Sequence, residues 1–362
     1  MERNKDKTIK NPAYILLYEK IRGDIVKRVY KKGEKLPSKR ALSDKTGYSV
    51  ITVEHAYGLL ADEGYIESRE RSGYFVIYLE KDTFGVPDEE TKDFPEFLPS
   101  DNVSFPFSVF AKAARSVISQ KGEMILQKTE NYGLNELRNS ISGHLYRSRG
   151  IKVPYSRIII GSGAEYLYGL IVELLGRDKI WGIEEPSYMK IEQVYRAKGV
   201  KLDLLKLGAD GIVTSELNRT KANVLHITPY RSFPSGVTAT PSKRYEYVKW
   251  AERTASFIVE DDFESEFTPL HKPEETLFSL SHNENVIYIN TFSKTISSSL
   301  RVAYMVLPEK LFKEFERKLA FYSCTVPTFE QYVISKLISD GSFERHINSV
   351  RRKRRREKNG TN

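Results

Sequence analysis

The chain has 362 residues, 40% of them hydrophobic, with 57 basic against 48 acidic side chains. That length allows one large core and one small one, and the excess of nine positive charges suits a nucleic-acid partner without requiring one. A single cysteine, Cys324, excludes an intrachain disulfide, no apolar run approaches the roughly twenty residues that span a bilayer, and the stretch from Met1 to Lys10 is charged, so a soluble cytoplasmic protein is expected.

Residues 10–79 read as helix, helix, helix, hairpin. Leu16, Leu17, Ile21 and Ile25 recur at helical spacing. Ser38 can cap a second helix whose buried side is approximated by Ala41, Leu42 and Thr46, and Gly47 ends it. Ser49 caps a third from Val50 to Asp62, with Val53, Ala56, Leu59 and Leu60 on one face. Two short helices about three residues apart form a helix–turn–helix. Tyr65 to Ser68 and Gly73 to Ile77 then read as two strands around a charged turn, a wing. The third helix can enter a major groove with Ile51, Thr52 and His55 near its exposed start and middle. Lys39, Arg40, Arg69 and Arg71 suit phosphate contacts. The same pattern is also that of a plain three-helix bundle with a solvated basic surface.

Residues 80–102, rich in Asp, Glu, Pro and Gly, read as a linker. Beyond it, the apolar runs at Arg157–Ile160, Val224–Ile227, Ala255–Val259 and Asn285–Ile289 do not alternate, which predicts strands covered on both faces in a mostly parallel α/β sheet. Ile158-Ile159-Ile160 leads into Gly161-Ser162-Gly163-Ala164, a turn that can offer amides to a phosphate at a helix start. Phe257-Ile258-Val259 ends in Glu260-Asp261-Asp262-Phe263, carboxylates at the strand end where such sheets place ligands. Thr291-Phe292-Ser293-Lys294-Thr295 and Arg301 follow the next strand. A lysine flanked by hydroxyls can capture an aldehyde, and the hydroxyls with the arginine can hold a phosphate. Taken singly, Lys294 is equally a surface charge, Asp261 a capping group and Gly161–Gly163 a tight connection.

The first region resembles the winged-helix domain of the GntR family through Leu36-Pro37-Ser38-Lys39-Arg40, Gly47-Tyr48-Ser49, Thr52-Val53, Glu63-Gly64-Tyr65-Ile66-Glu67-Ser68-Arg69 and Ser72-Gly73-Tyr74-Phe75-Val76. The resemblance implies a homodimer on double-stranded operator DNA, with Ser38, Lys39, Arg40, Ser49, Ile51, Thr52, His55, Arg69 and Arg71 at the interface. Val50 stands where the family usually has arginine, which removes a charged backbone contact.

Residues 103–349 resemble the aminotransferase-like domain of the MocR subfamily through Tyr132-Gly133-Leu134-Asn135-Glu136-Leu137-Arg138, Gly161-Ser162-Gly163-Ala164, Glu185-Pro186-Ser187-Tyr188, Phe233-Pro234-Ser235-Gly236, Val259 to Phe267, and Thr291 to Thr295 with Leu300-Arg301. The implied architecture is α/β: a winged helix–turn–helix domain followed by a fold-type I, three-layer, aminotransferase-like domain that binds pyridoxal 5'-phosphate. By that resemblance Lys294 carries the internal aldimine, Asp261 pairs with the pyridine nitrogen and Tyr188 stacks on the ring. Gly163, Ala164, Thr291, Ser293 and Arg301 surround the phosphate. Departures are Phe263 in place of a tyrosine, Tyr230-Arg231-Ser232 in place of Ser-His-Gln, Lys190 in place of arginine, and Ser298-Ser299 before Leu300. Losing the tyrosine hydroxyl costs roughly 0.5–1.5 kcal/mol of cofactor binding.

Relatives continue into a small C-terminal subdomain that supplies a carboxylate-binding arginine. Here Arg351 to Arg356 and Gly360-Thr361-Asn362 finish the sequence, which reads as a solvated basic tail, 350–362, on a truncated domain with a disturbed dimer surface. The leading expectation is a regulator whose DNA binding responds to pyridoxal phosphate or its adduct with an amine or amino acid. The alternatives are a weak pyridoxal-phosphate-dependent aminotransferase with a DNA-binding appendage, and a DNA-binding regulator that has lost the cofactor. No metal site is expected.

Overall fold

A computed structural model describes residues 12–78, 105–268 and 275–358. The expected linker, the start of the large domain at 103 and the last four residues lie outside these. The chain divides into two units at Leu98 and Pro99, each described by itself.

In the first unit, helices α1 (Ala13–Val26), α2 (Lys39–Thr46) and α3 (Val50–Asp62) precede strands β1 (Ile66–Arg69) and β2 (Gly73–Val76). The caps fall where the sequence places them: Ser38 accepts from the Ala41 amide and Ser49 from the Thr52 amide. Gly47, at φ 75°, ends α2 in the left-handed region that a side chain disfavours. β1 and β2 pair antiparallel, Ile66 opposite Val76.

The core of this unit is Leu17, Ile21, Ile25, Leu42, Val53, Ala56, Tyr57 and Leu60, closed by Ile66 and Val76 from the hairpin. Two expected core positions differ. Leu16 is 47% exposed, because Leu17, Ile21 and Ile25 at i, i+4, i+8 define the stripe and residue 16 lies about 100° off it. Ala41 is exposed for the same reason beside Leu42. Tyr57, which the periodicity passed over, is fully buried and donates its hydroxyl to the Pro37 carbonyl at 2.8 Å.

In the second unit the strands are β3 (Ile158–Gly161), β4 (Ile180–Glu185), β5 (Lys201–Gly208), β6 (Gly211–Ile212), β7 (Val224–Ile227), β8 (Phe257–Asp261), β9 (Val286–Thr291) and β10 (Ala303–Val306). Among the described residues they form one sheet in the order β3-β10-β9-β8-β7-β4-β5-β6. β9, β8, β7, β4 and β5 run parallel, while β10 is antiparallel to both β3 and β9. β3 therefore points the same way as β9, and the C-terminal ends of β3, β4, β7, β8 and β9 share one edge with the N-terminal end of β10.

The helices are α4 (Phe107–Lys121), α5 (Asn135–Arg149), α6 (Ala164–Leu175), α7 (Met189–Ala197), α8 (Thr214–Arg219), α9 (Pro241–Thr254), α10 (Leu277–Leu280), α11 (Glu309–Leu319), α12 (Thr328–Ser339) and α13 (Ser342–Lys358). Strand pleating sorts them into layers. Val259, Ile287 and Ile289 face α6, α7 and α11, where Leu167, Ile171, Ile191, Tyr195 and Phe315 meet them. Ile258 and Val286 face α9 and α10, and Ile160, Tyr288 and Tyr304 face α5, α12 and α13. The result is the expected three-layer α/β arrangement.

One expectation is corrected. The basic run is not a solvated tail but the second half of α13. Phe343, Ile347 and Val350 are buried in the core, and helical spacing carries Arg351 and Arg354 onto the same side. There Arg351 donates to the Glu266 carbonyl at 2.6 Å, and Arg354 lies over the Phe267 ring at 5.2 Å. The guanidinium groups thus take up backbone carbonyls of the short 3₁₀ turn at Ser265–Phe267. Only Arg352, Lys353 and Arg356 of the run are exposed.

Phe343 ties α13 to the domain through edge contacts with Phe292 and His144 at 5.6 and 5.2 Å. Phe343→Ala is expected to reduce the unfolding free energy by about 3–5 kcal/mol, measured as a lower urea midpoint with unchanged m-value.

Candidate functional site

The shared strand edge encloses a cavity of about 230 Å³ lined by, among others, Ala164, Tyr168, Tyr188, Asp261, Phe263 and Lys294. Thr291, Ser293 and Arg301 also line it, so eight of the nine expected cofactor-site residues meet there, and Gly163 adjoins them as the N-cap of α6. Six strand ends delivering residues to one crevice is the geometry in which open α/β sheets hold ligands.

The three consecutive acidic residues at the end of β8 and just past it are separated by the pleat. Glu260 and Asp262 turn to one face, and Asp261 turns to the other, into the cavity. Glu260 accepts from the Leu277 and Phe278 amides at 2.9 Å each and from the Tyr230 hydroxyl at 2.6 Å. Asp262 pairs with buried Arg149 at 2.9 Å and accepts from the Tyr288 hydroxyl at 2.7 Å. These two are structural anchors.

Asp261 is 3% exposed. Its Oδ2 accepts from the Tyr168 hydroxyl of α6 and lies 3.6 Å from His226 Nε2. Its Oδ1 is buried and has no hydrogen-bond partner. Behind it, the Tyr195 hydroxyl meets His226 Nδ1 at 2.6 Å. Burial and the Asp261 charge hold the phenols of Tyr168 and Tyr195 well above their ordinary pKa, so both remain neutral. A buried carboxylate oxygen without a partner costs free energy unless a donor from the cavity reaches it.

Lys294 sits in the turn after β9, exposed to the cavity, with no ion pair or hydrogen bond among the described residues. The Thr291 hydroxyl donates to Ser293 Oγ at 3.0 Å and accepts from the Ser293 amide at 3.1 Å, which fixes the turn that presents the lysine. Across the cavity, Gly163 at φ 95° begins α6 with no side-chain cap. A Cβ there would stand 2.7 Å from Arg301 Nη2, so the arginine lies directly over the helix start. Arg301 pairs with Glu165 in the first turn of α6, and Lys190 reaches the other Glu165 oxygen at 3.0 Å. Burial raises the Glu165 pKa, but the two cations outweigh it and the net shift is downward. Tyr188 stands at the mouth, edge-on to Phe233 at 6.0 Å.

These residues fit pyridoxal phosphate: a buried acid with one unpartnered oxygen, an available amine and a glycine-tight helix start beneath an arginine. Tyr168, His226, Tyr195 and Glu165 were not singled out in the sequence as site residues, and Phe233 entered only as part of a family motif. Of the departures, Tyr230 and Ser232 have structural partners, Glu260 and Glu184, and Arg231 pairs with Glu264 at 2.8 Å. Among the described residues, no group of three or more His, Cys, Asp or Glu could hold a metal ion, and no helix is long and apolar enough to cross a membrane.

In the first unit, Ile51 is 66% exposed on α3, beside Thr52 and His55, and Arg71 lies at the tip of the hairpin. Lys39 pairs with Glu54 at 2.6 Å, and Arg69 with Glu67 at 2.7 Å. Arg40 and Arg71 have no ion-pair partner among the described residues.

Residues 14–76 match the family described as bacterial regulatory proteins, gntR family, and residues 98–359 match aminotransferase class I and II. The chain is 32% identical to the uncharacterized HTH-type transcriptional regulator YdeL of Bacillus subtilis, over 98% of this chain and 79% of that one. It is 28% identical to the probable rhizopine catabolism regulatory protein MocR of Rhizobium meliloti, over 94% and 74%. Among solved structures, the α-aminoadipate aminotransferase LysN of Thermus thermophilus, crystallised with N-(5'-phosphopyridoxyl)-L-leucine, superposes with a TM-score of 0.61 at 26% identity, covering 68% of this chain and 64% of that one.

Burial pushes the Glu266 carboxyl up to about 7, with nearby Asp262 adding to the effect. A pKa raised in the folded state favours folding below the unfolded value, and that contribution is lost as pH rises through about 7. Glu266→Gln keeps an acceptor for Asn290, which donates to Oε1 at 2.6 Å, and carries no charge. Denaturant unfolding is expected to show the variant losing less stability than wild type between about pH 5 and pH 8, by on the order of 2 kcal/mol.

Proposed function

Because the chain belongs to the GntR family, as a MocR-type regulator with a DNA-binding helix–turn–helix domain and an aminotransferase-like effector-binding domain, we propose that it is a transcription regulator whose operator binding responds to pyridoxal phosphate, alone or with an amine or amino acid. The observation that carries this reading is the buried, unpartnered Asp261 Oδ1 on the wall of the cavity that also holds the free Lys294 amine. When bound, pyridoxal phosphate supplies an aldehyde that a primary amine can capture.

Lys294 is the chain's own amine for that capture. Asp261 would accept a hydrogen bond from a proton-bearing ring nitrogen, with its other oxygen held by Tyr168 and close to His226. Tyr188 offers an aromatic face at the mouth. The Ala164 amide at the start of α6, with Thr291, Ser293 and Arg301, takes the phosphate, and Gly163, whose own amide donates to the Gly161 carbonyl at 2.8 Å, lets it approach the helix start without a side chain in the way. Phe263 lines the same cavity but offers no hydroxyl. The protein acts as a homodimer on double-stranded operator DNA. α3 reads bases through Ile51, Thr52 and His55, while Ser38, Lys39, Arg40, Ser49, Arg69 and Arg71 face the backbone.

A second reading has one observation in its favour. Lys294 and Asp261, the two groups that transamination requires, both line the cavity, so a residual half-reaction accompanies sensing. Sustained turnover of an amino acid and a keto acid by the purified protein would put catalysis first.

Titration of the full chain with pyridoxal phosphate should produce a saturable visible band and change affinity for the promoter fragment, and Lys294→Ala should lose the band. A colourless wild type whose DNA affinity ignores the vitamer overturns the reading. Separately, Arg71→Gln should weaken specific and non-specific DNA alike and lower the slope of log affinity against log salt by about 1. Ile51→Ala should instead lose discrimination between operator and mutated sites.

A further inference from the structure

We propose that Glu165 is an internal counter-anion of the phosphate subsite, competing for the cations that hold the ligand's phosphate and thereby setting how strongly the site prefers phosphorylated over unphosphorylated pyridoxal. This rests on the reading of the cavity given above and adds a residue that the reading itself does not use.

The geometry is that of a lock with two bolts. Glu165 is the second residue of α6, so its carboxylate belongs to the same first turn whose amides attract an anion. Oε1 takes Lys190 Nζ at 3.0 Å, and Oε2 takes Arg301 Nη2. The two cations come from different elements, Lys190 from the first turn of α7 and Arg301 from the segment before β10. They converge on one carboxylate that itself lines the cavity. Arg301 already lies over the helix start, its Nη2 2.7 Å from where a Cβ on Gly163 would stand, so it holds Glu165 and the phosphate position together.

The charges decide the consequence. Lys190 and Arg301 bring two positive charges and Glu165 returns one negative, so the subsite offers a net single charge to a phosphate that carries about −1.5 to −2 near neutral pH. An entering phosphate must share both cations with Glu165 or displace it. Either course weakens binding of the phosphorylated ligand and leaves unphosphorylated pyridoxal, which needs neither cation, unaffected. The side chains are 29% exposed for Glu165, 52% for Lys190 and 47% for Arg301, so neutralising Glu165 strands no buried charge.

The test compares wild type, Glu165→Gln and Glu165→Ala in the full chain. Pyridoxal phosphate and pyridoxal are titrated by visible absorbance, and inorganic phosphate is titrated by thermal shift in a Lys294→Ala background. Both substitutions should tighten pyridoxal phosphate at least roughly tenfold, the equivalent of about 1.4 kcal/mol, while pyridoxal changes less than about twofold. Inorganic phosphate should raise the melting temperature more in the variants than in their parent. Unchanged or weaker phosphate binding in both variants overturns the proposal, because Glu165 would then only orient Arg301. If wild type gives no band with either vitamer, the cofactor reading fails, and the inorganic-phosphate arm still decides the role of Glu165.

Discussion

Three consecutive carboxylates end a strand buried on both faces, and the large domain is organised around satisfying them. A buried charge is costly unless paired or hydrogen-bonded, and the pleat of β8 divides the problem between two layers. Glu260 is met by the amide start of α10 and by Tyr230, and Asp262 by Arg149 from the end of α5 and by Tyr288 of β9. These contacts fix two helices and a neighbouring strand against the end of β8. Asp262 Oδ1 and Asp261 Oδ1 are both buried without a hydrogen-bond partner, but Asp261, on the opposite face with its other oxygen held by Tyr168, is the one that lines the cavity. The rigidity of the first pair holds the third in place.

Much of this was legible in the residues because burial leaves simple marks. β3, β7, β8 and β9 lie in the middle of the sheet or beneath packed helices, and their unbroken β-branched runs show it. β4 and β5 were passed over, since Ile180-Trp181-Gly182-Ile183-Glu184-Glu185 ends in acids and Lys201 to Gly208 is only half-buried. The helix–turn–helix was readable from two serine caps and a glycine stop, which act locally. Tyr57 was not, because its burial depends on the Pro37 carbonyl twenty residues away.

The candidate site divides along the same line. Asp261, Ser293, Lys294 and Arg301 stand in short motifs beside strand ends, where chemistry-bearing residue types are conspicuous. Tyr168 and His226 are embedded in an apolar helix and an apolar strand, and nothing in their spacing separates them from core packing. Only the sheet order, which brings α6 and β7 to the same side of β8, makes them the support of Asp261. The arginine run misled for a related reason. Composition marks it as solvated, but two of its members, Arg351 and Arg354, continue the buried side of a helix and find backbone carbonyls or a ring there.

The same electrostatic device recurs in both units. In the first unit Lys39 is held by Glu54 and Arg69 by Glu67, and beside the cavity Lys190 and Arg301 are held by Glu165. Each is a partly exposed pair, worth at most about 1 kcal/mol, so each can be exchanged for an external phosphate at small cost. Such pairing lowers the affinity of every phosphate without discriminating among nucleic-acid sequences. On the reading proposed above, discrimination would fall to contacts other than those with phosphate: Ile51 on α3, and Asp261 and Lys294 in the cavity. On that reading, a regulator built this way gives up binding strength at its anion contacts, and its response is governed by the contacts that only the correct partner completes.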